Sequence, residues 1–187
     1  MQRVPFKKRW QRRISGHPAH GKQSTANGPL SGHGWRGTSD TEVLLAAYAR
    51  WGTDCLRHLN GMFAFAIHDE RRKQLFLARD RAGEKPLFYR LENGEFWFAS
   101  ELKALMAVPR LPRKINSEAL DCYLAFGFVP GEMCILEGYR KLPPGHAMTF
   151  DLERGTNWIW PWLPAASKQV LSTPEKKLKS SVCKRIK

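Results

Sequence analysis

The chain has 187 residues, 42% of them hydrophobic, and a formal net charge of +14. This length suits one domain with its own core, and no apolar run approaches the roughly 20 residues of a membrane helix. The N-terminus is basic but lacks the apolar region of a secretory signal peptide. The four cysteines show no spacing typical of a metal site. The sequence therefore predicts a cytoplasmic protein with reduced thiols, no metal site and no membrane partner.

Positive charge is concentrated at the two ends of the chain. No acidic residue precedes Asp40, whereas basic residues recur from Arg3 to Arg36, and the C-terminus reads "EKKLKSSVCKRIK". Residues 1–36 also lack apolar periodicity, which predicts a basic, disordered tail. Basic tails of this kind bind nucleic-acid phosphates. No aromatic interleaving or binding motif accompanies the charge, so we expect at most non-specific nucleic-acid binding.

The first predicted helix begins at the junction "GTSDTEVLLAAY" (37–48). Ser39 and Glu42 have the S-x-x-E spacing of a capping box, which satisfies N–H groups of the first helical turn. Apolar residues then follow at helical spacing, which predicts a helix over residues 41–51. Asp40 lies in the first turn, where the helix dipole favours negative charge. Its carboxylate is either a complement to the dipole or a group that binds the ammonium of a ligand.

The segment that follows predicts two consecutive β-hairpins. Four apolar runs alternate with polar turns: "GMFAFAIHD" (61–69), "QLFLARD" (74–80), "LFYRL" (87–91) and "FWFAS" (96–100). The turn between the last two runs contains Asn-Gly, a strong short-range signal for a hairpin. We therefore expect residues 62–99 to form four antiparallel strands in one or two stacked layers.

Two further helices and a late strand complete the predicted elements. The segment "SELKALMAV" indicates a short helix opened by Ser100, and "NSEALDCYLAFG" indicates a longer one capped by Asn116 or Ser117. The segment "GHAMTFDLERG" (145–155) indicates a strand followed by a turn. Consecutive strands beside segregated helices favour an α+β fold over a parallel doubly wound sheet. No phosphate-binding glycine-rich loop or nucleophile elbow is visible, so these patterns alone assemble no catalytic centre.

A family resemblance rests on five segments that occur in order and at close spacing: "SDTEVLLAAYARWG", "LNGMFAFAIHD", "LFLARDRAGEKPLFY", "FASELKAL" and "FGFVPGEMCILEGYRKLPPGH". Together they resemble the C-terminal half of the class II glutaminase domain of glutamine-hydrolysing asparagine synthetases. The resemblance implies a partial αββα sandwich of antiparallel sheets, of the N-terminal nucleophile hydrolase type. It also implies three regions: the tail at 1–36, a partial class II glutamine amidotransferase domain at 37–155, and a linker with the start of a truncated synthetase domain at 156–187.

The resemblance also implies a specific chemistry. In that family an N-terminal cysteine attacks the side-chain amide of glutamine and releases ammonia. A synthetase domain then uses the ammonia, with ATP and Mg²⁺, to amidate aspartate. The acid of an SDTE-type motif, here Asp40, binds the α-amino group of glutamine, with Ser39 and Glu42 as its supporting cap. Asp40 is therefore the substrate-binding residue that the resemblance implies.

The chain departs from the family pattern at both ends. It begins "MQRVPFKK" rather than Met-Cys-Gly, and it has no "RHRGPD"-type loop for the glutamine carboxylate and no "SGGxDS"-type ATP loop. We therefore expect a frame-shifted or truncated fragment with no catalytic residue, no cofactor and weak or no glutamine binding, inactive alone. Whether the chain is itself an enzyme stays open. A missing first half would leave sheet edges and one sheet face uncovered, which favours homodimerisation.

Other polar residues of the matching segments have two interpretations each. By resemblance, five charged residues are candidates for a domain interface or the ammonia route: Arg79, Asp80, Lys85, Glu101 and Lys103. The first three equally suit an ion-paired turn, and the last two suit a solvated helix face. Cys55 is a candidate for a relocated nucleophile, but its neighbours Leu56 and Leu59 indicate buried packing in an amphipathic helix.

Three functional hypotheses follow. The chain is a fragment of a glutamine-hydrolysing asparagine synthetase whose partner is a synthetase domain, or a non-catalytic binding or interaction module on the same half-fold, or a nucleic-acid-binding protein that uses its basic ends. A salt titration against DNA separates the third hypothesis, because phosphate contacts weaken steeply with salt. Assays of ammonia release and glutamine binding separate the first two from a working enzyme.

Overall fold

A computed structural model of the protein describes Leu30, Gly37 and residues 39–163. The rest of the predicted tail, and the predicted synthetase segment from residue 164 onward, lie outside the described residues. No described helix is long and apolar enough to cross a membrane. The described chain forms three α-helices, one 3-10 helix and seven strands, in this order: α1 (Asp40–Trp51), the 3-10 helix (Gly52–His58), β1 (Ala64–Asp69), β2 (Gln74–Arg79), β3 (Phe88–Glu92), β4 (Glu95–Ala99), α2 (Leu102–Met106), α3 (Ser117–Phe126), β5 (Arg140–Lys141), β6 (His146–Asp151) and β7 (Asn157–Pro161).

These strands form two antiparallel sheets. The order is β1-β2-β6-β7 in the first sheet and β4-β3-β5 in the second. Both predicted hairpins are confirmed, and each lies in a different sheet, since β1 pairs with β2 and β3 pairs with β4. In the first hairpin Phe65 lies opposite Ala78 and Ile67 opposite Phe76, so one face of the pair is uniformly apolar. The predicted α+β class with antiparallel sheets is therefore confirmed.

The core consists of three apolar layers separated by the two sheets. Seven buried side chains fill the space between the sheets: Leu75, Leu77, Leu87, Tyr89, Leu142, Met148 and Phe150. On the outer face of the first sheet, Tyr48 of α1 and Leu56 of the 3-10 helix share a cluster with Phe76, on which the Tyr48 ring stacks at 5.4 Å. On the outer face of the second sheet, Leu105 of α2 shares a cluster with Ala99. This succession of helix, sheet, sheet and helix is the predicted αββα sandwich.

Local sequence signals act at the ends of several elements. At the start of α3 the Asn116 side chain accepts a hydrogen bond from the Ala119 N–H at 3.2 Å. The helix ends at Gly127, which has a left-handed φ of 76°. Asn93 and Gly94 have φ values of 52° and 76°, as the tight turn between β3 and β4 requires. The predicted cap and stop of α3 and the Asn-Gly turn are therefore confirmed.

Two helical predictions need correction. The N-cap of α2 is Glu101, so Ser100 does not open that helix. Cys55 lies in a 3-10 helix rather than in an amphipathic α-helix, because Gly52 ends α1 with a φ of 59°. The tighter turn of the 3-10 helix still buries Cys55 and Leu56 against the first sheet. The packing expected of Cys55 is thus confirmed although its helix type is different.

Two strands, β5 and β7, were not predicted from the sequence. β5 has only two residues, and β7 reads "NWIWP", which ends in proline and lacks a clear alternation of polar and apolar side chains. β7 pairs with β6 along its whole length, from Asn157 to Pro161. The first sheet therefore extends beyond residue 155, where the sequence placed the end of the domain.

The expected uncovered sheet face is found at β1. Ala66 and His68 lie on the face of β1 opposite to the buried Phe65 and Ile67, and both are exposed. By contrast, the outer faces of both sheets carry apolar clusters with the helices. Leu30, which the sequence assigned to a disordered tail, is buried in the cluster under α1. The second sheet is thus too narrow to cover the edge strand of the first.

Candidate functional site

The start of α1 is held by two side-chain caps. The Ser39 hydroxyl accepts a hydrogen bond from the Thr41 N–H at 3.2 Å. The Glu42 carboxylate accepts one from the Gly37 N–H at 2.8 Å. Both residues of the predicted capping box therefore act as caps, but Ser39 bonds the N–H one residue before the expected one, and Glu42 bonds the N–H two residues before the expected one. The contact to Gly37 also ties the incoming chain to the first helical turn.

Asp40 is the first residue of α1 and its side chain is half-buried. Within the part of the chain that the structure describes, its carboxylate has no hydrogen bond or ion pair. Its negative charge is favoured by the N–H groups and dipole of the first helical turn. A half-buried carboxylate that is fixed on a helix end and is not used internally is suited to accept hydrogen bonds from a ligand ammonium.

The other end of α1 is anchored on the first sheet. The Tyr48 hydroxyl donates to the Asp69 carboxylate at 3.0 Å and accepts from the Gln74 side-chain amide at 3.2 Å. Burial is the main cause that raises the pKa of Tyr48, so the hydroxyl stays protonated as this bond requires. These contacts fix the helix against the turn between β1 and β2. They therefore hold the helix that carries Asp40 in one orientation on the sheet.

Asp80 has a different environment, although it too lies close to a chain turn. Its side chain is only 1% exposed, and its two oxygens accept from the backbone N–H groups of Phe63, Glu84 and Lys85 at 3.3, 3.0 and 3.0 Å. Burial raises the pKa of the Asp80 carboxyl, but the backbone hydrogen bonds outweigh it and hold the pKa below its usual value. The carboxylate is therefore ionised and fully occupied by its own chain.

Arg79 is occupied in a complementary way. Its guanidinium donates to the backbone carbonyls of Lys85, Leu142 and Gly83 at 2.8, 2.7 and 2.5 Å. Gly83 has a φ of 72°, and a Cβ there would lie 2.7 Å from Pro144, so a side chain has no room beside the guanidinium. Within the described residues neither Arg79 nor Asp80 forms an ion pair. The turn is thus held by charged side chains bonded to backbone groups, and not by the ion pair that we expected.

The remaining interface candidates lie at the surface. Glu101 and Lys103 form an ion pair of 2.7 Å with both side chains largely exposed, as a solvated helix end would. The Lys85 side chain is half-buried, and only its backbone groups take part in the hydrogen bonds that hold the turn. A role of these three residues at a domain interface stays a prediction.

Cys55 does not meet the requirements of a nucleophile. It is fully buried among apolar side chains, and burial, with a smaller effect of Asp54, raises the pKa of its thiol to about 11. A nucleophilic cysteine needs an accessible thiolate. Cys134 is also buried, Cys122 is half-buried and Cys183 lies outside the described residues. The described residues contain no cluster of acidic, histidine or cysteine side chains that could hold a metal ion.

A basic cleft is present that the sequence analysis did not predict. Its volume is about 400 Å³, and its lining includes Arg57, Arg81 and Trp162. The Arg81 guanidinium lies 5.6 Å from the centre of the Trp162 ring, and the Trp162 N–H donates to the Arg79 carbonyl at 3.0 Å. These residues come from the 3-10 helix, the turn after β2 and the position directly after β7. Only the folded chain brings them together, so no local motif could have indicated the cleft.

The comparisons with known proteins agree with this architecture. The family model of the glutamine amidotransferase domain matches residues 25–160, which is most of the chain. The chain belongs to this family. The match begins inside the segment that the sequence assigned to a tail, and it ends in β7, where the first sheet also ends. Residues 25–36 are therefore part of the glutamine amidotransferase domain, which explains why Leu30 is buried in its core.

Individual relatives show which proteins with this domain the chain is similar to. The chain is 46% identical over 131 residues to "Asparagine synthetase [glutamine-hydrolyzing] 3" of Bacillus subtilis, which covers 69% of the chain and 21% of that protein. It is 41% identical over 118 residues to a putative asparagine synthetase of Methanocaldococcus jannaschii, with 62% and 23% covered. The predicted resemblance to glutamine-hydrolysing asparagine synthetases is thus confirmed. The chain matches about a fifth of the length of these curated relatives.

Proposed function

We propose that this glutamine amidotransferase domain binds the α-ammonium group of glutamine through Asp40, as one part of a glutamine-hydrolysing asparagine synthetase. The observation that carries the proposal is the position of the Asp40 carboxylate. It is half-buried on a capped helix end and has no partner among the described residues. The caps of Ser39 and Glu42 fix the backbone on either side of it. Asp40 is also the acid of the SDTE-type motif. In the family that acid binds the α-ammonium group of glutamine.

Asp40 alone provides little affinity. A solvent-accessible contact between a carboxylate and an ammonium contributes at most about 1 kcal/mol. Binding with a dissociation constant of 1 mM requires about 4 kcal/mol. Tighter binding also requires protein partners for the carboxylate and the side-chain amide of glutamine. The described residues contain no recognised motif for binding these two groups. We therefore expect the isolated chain to bind glutamine more weakly than millimolar.

Hydrolysis needs a nucleophile, which the two buried cysteines of the described chain do not provide. Cys55 and Cys134 are buried, and the high pKa of Cys55 keeps its thiol protonated. We infer that the polypeptide of this sequence does not release ammonia from glutamine by itself. ATP, Mg²⁺ and a synthetase domain stay predictions for a complete asparagine synthetase, and they take no part in what Asp40 does here.

The binding proposal is tested by nuclear magnetic resonance titration of the chain with L-glutamine up to about 50 mM, well above the millimolar scale. We expect shifts of the amide signals at residues 40–43 that grow with glutamine concentration without reaching saturation, and their loss in Asp40→Asn. Asp54→Asn is the matched control, since Asp54 is an exposed acid paired with Arg57 at 3.5 Å. N-acetyl-L-glutamine, which lacks the ammonium group, should give no such shifts. Equal shifts with either ligand, or no shifts at all, would contradict the proposal.

The prediction on hydrolysis has a separate test. Ammonia release from glutamine is measured with the purified chain and with Cys55→Ala, and we expect no release from either above the uncatalysed rate. Loss of a nucleophile usually costs several orders of magnitude in rate. If the chain releases ammonia and Cys55→Ala abolishes the release, Cys55 is a relocated nucleophile and the inference of inactivity is wrong. The ammonium site of Asp40 is unaffected by either result, because it is measured by binding.

A further inference from the structure

The basic cleft beside the 3-10 helix has a base that the fold holds in place. The Trp162 ring is buried, stacks on the Phe63 ring at 5.9 Å and donates its side-chain N–H to the Arg79 carbonyl. The Trp162 backbone N–H donates to the Gly145 carbonyl at 3.1 Å, and the Gly145 N–H donates to the Asp80 carbonyl at 2.8 Å. These bonds join the turn after β2 to the chain that leaves β7. The base of the cleft is therefore formed by the fold itself, as is usual for small-molecule sites.

Two guanidinium groups line this cleft, and among the described residues no carboxylate lines it. Arg81 lies over the Trp162 ring at 5.6 Å and forms no ion pair within the part of the chain that the structure describes. Arg57 is paired with Asp54 at 3.5 Å, but the two side chains are 74% and 72% exposed, so this pair contributes little. Two positive groups that face the same space repel each other. An anion in the cleft would therefore be favoured by both.

The remainder of the sequence offers almost no negative charge to fill the cleft. Outside the described residues the chain contains one acid, Glu175, and two lysines follow it directly. The stretch 164–174, which comes next after the cleft residues, contains Lys168 and no acid. A basic segment is repelled by two guanidinium groups. The anion that complements the cleft is therefore a separate molecule.

We propose that this cleft binds a small phosphate ester, with its phosphate group bonded to Arg57 and Arg81 and its organic part against Pro161 and Leu163. Each guanidinium can donate two parallel N–H groups to phosphate oxygens. A phosphate monoester also carries more negative charge at neutral pH than the single carboxylate now paired with Arg57. The volume of about 400 Å³ is in the range of small-molecule sites and exceeds what a free phosphate ion fills, so it also accommodates the organic part.

The phosphate site is separate from the proposed ammonium site. Asp40 is the first residue of α1, whereas Arg57 lies in the 3-10 helix that follows the other end of α1. The twelve residues of α1 rise by about 18 Å between these two ends. The inference is therefore independent of Asp40, and the failure of either proposal leaves the other intact.

The test is a nuclear magnetic resonance titration of the full chain with phenyl phosphate and with inorganic phosphate, at an ionic strength kept constant with sodium chloride. We expect saturable shifts of the amide signals at residues 57, 81, 162 and 163. The dissociation constant of phenyl phosphate should be on the order of 1 mM, as two charge-assisted contacts in an open cleft imply. Inorganic phosphate should bind at least about threefold more weakly, because it lacks the ring that removes apolar surface from water.

Three substitutions of arginine by glutamine separate the cleft from the overall charge of the chain. Arg57→Gln and Arg81→Gln should each weaken binding of phenyl phosphate at least about tenfold, since each removes a charged hydrogen-bond donor. Arg110→Gln is the matched control. Arg110 also lies over a tryptophan ring, that of Trp97 at 4.6 Å, but it packs on the second sheet away from the cleft. Its substitution removes the same charge and should leave the affinity unchanged.

Arg57→Gln keeps the test valid if Arg81→Gln disturbs the turn after β2, because the Arg57 side chain is exposed and takes no part in that turn. The proposal is overturned if phenyl phosphate causes no saturable shifts at the cleft residues. It is also overturned if Arg110→Gln weakens binding as much as the two cleft variants, since the attraction would then come from the net charge alone. Equal affinity for inorganic phosphate and phenyl phosphate would mean a site for an inorganic anion only, and this result too contradicts the proposal.

Discussion

Two aspartates of this domain lie at turns of the chain and differ in what their carboxylates bond. Asp80 is 1% exposed and accepts from three backbone N–H groups of its own domain. Asp40 is half-buried at the start of α1 and accepts from none of the described residues. A buried carboxylate must be satisfied internally, because an unpaired one costs several kcal/mol. The internal use of Asp80 therefore indicates a structural role, whereas Asp40 remains available to a ligand.

The contrast extends to the side chains around each carboxylate. Arg79 next to Asp80 is committed to three backbone carbonyls and closes the turn that leads into β3. Ser39 and Glu42 beside Asp40 bond backbone N–H groups of α1 and of Gly37, and so leave the acid between them unused. The charged groups around Asp80 stabilise a turn of the fold. The caps beside Asp40 instead fix the position of its carboxylate. Substitutions at the two sites should therefore separate stability from binding.

The largest expected effect is that of Asp80→Asn. The amide keeps one accepting oxygen, so its nitrogen leaves at least one of the three backbone N–H groups, of Phe63, Glu84 or Lys85, unsatisfied in a buried turn. An unsatisfied buried group costs about 1–3 kcal/mol, so we expect the free energy of unfolding to fall by about 2 kcal/mol. Urea denaturation of the wild type and the variant measures this difference.

Asp54→Asn serves as the control for that measurement. Asp54 is exposed, and its ion pair with Arg57 is long, at 3.5 Å, so its loss should change the free energy of unfolding by less than about 0.5 kcal/mol. If Asp80→Asn is no more destabilising than Asp54→Asn, the buried hydrogen bonds do not hold the turn. The structural role of Asp80 would then be wrong.

A second expectation concerns stability in acid. Because the folded-state pKa of Asp80 is lowered, the unfolded chain binds a proton more readily than the folded one. The stabilisation is complete above the unfolded pKa of about 3.9 and is lost as the pH falls from there through the folded pKa. In that window the wild type should lose up to about 1.4 kcal/mol per pH unit more than Asp80→Asn. Parallel pH profiles of the two proteins would show that Asp80 does not titrate as described.

The sequence alone predicted the elements whose signals are local. Helix α3 has a cap at Asn116 and a stop at Gly127, and the turn at Asn93 and Gly94 needs no distant partner. β7 could not be predicted in the same way, because its short run becomes a strand only by pairing with β6. Strand formation of this kind depends on a neighbour that is distant in sequence.

At the candidate site, too, local features could be predicted from the sequence but contacts between distant residues could not. The motif around Asp40 is local, so its capped helix could be predicted from Ser39 and Glu42. The partners of Arg79 and Asp80 could not, since the Leu142 carbonyl lies 63 residues away and Phe63 lies 17 residues away in sequence. From the sequence, an ion pair between the adjacent Arg79 and Asp80 was expected. Both side chains are instead buried in the turn and form hydrogen bonds with backbone groups. The cleft at Arg57, Arg81 and Trp162 depends on tertiary structure in the same way.

A smaller effect is expected at the cap of α1. Ser39→Ala removes the hydroxyl that accepts from the Thr41 N–H, and loss of an N-cap side chain costs about 1 kcal/mol in the free energy of unfolding. Ser100→Ala is the matched control, because Ser100 lies just before α2 but does not cap it. Thermal or urea denaturation of both variants measures the difference. Equal stability of the two would mean that the Ser39 hydroxyl contributes nothing to the helix.

The smallest effect on stability is expected for Asp40→Asn, the counterpart of Asp80→Asn. The substitution removes one negative charge from the first turn of α1, which contributes about 0.5 kcal/mol through the helix dipole. Since this contribution is electrostatic and partly exposed, it should shrink further in roughly 0.5 M salt. The same variant should nevertheless lose the response to glutamine completely, so stability and binding would separate at this residue. If Asp40→Asn destabilises the chain as strongly as Asp80→Asn, Asp40 has a structural partner outside the described residues, and it is not an open ligand for an ammonium group.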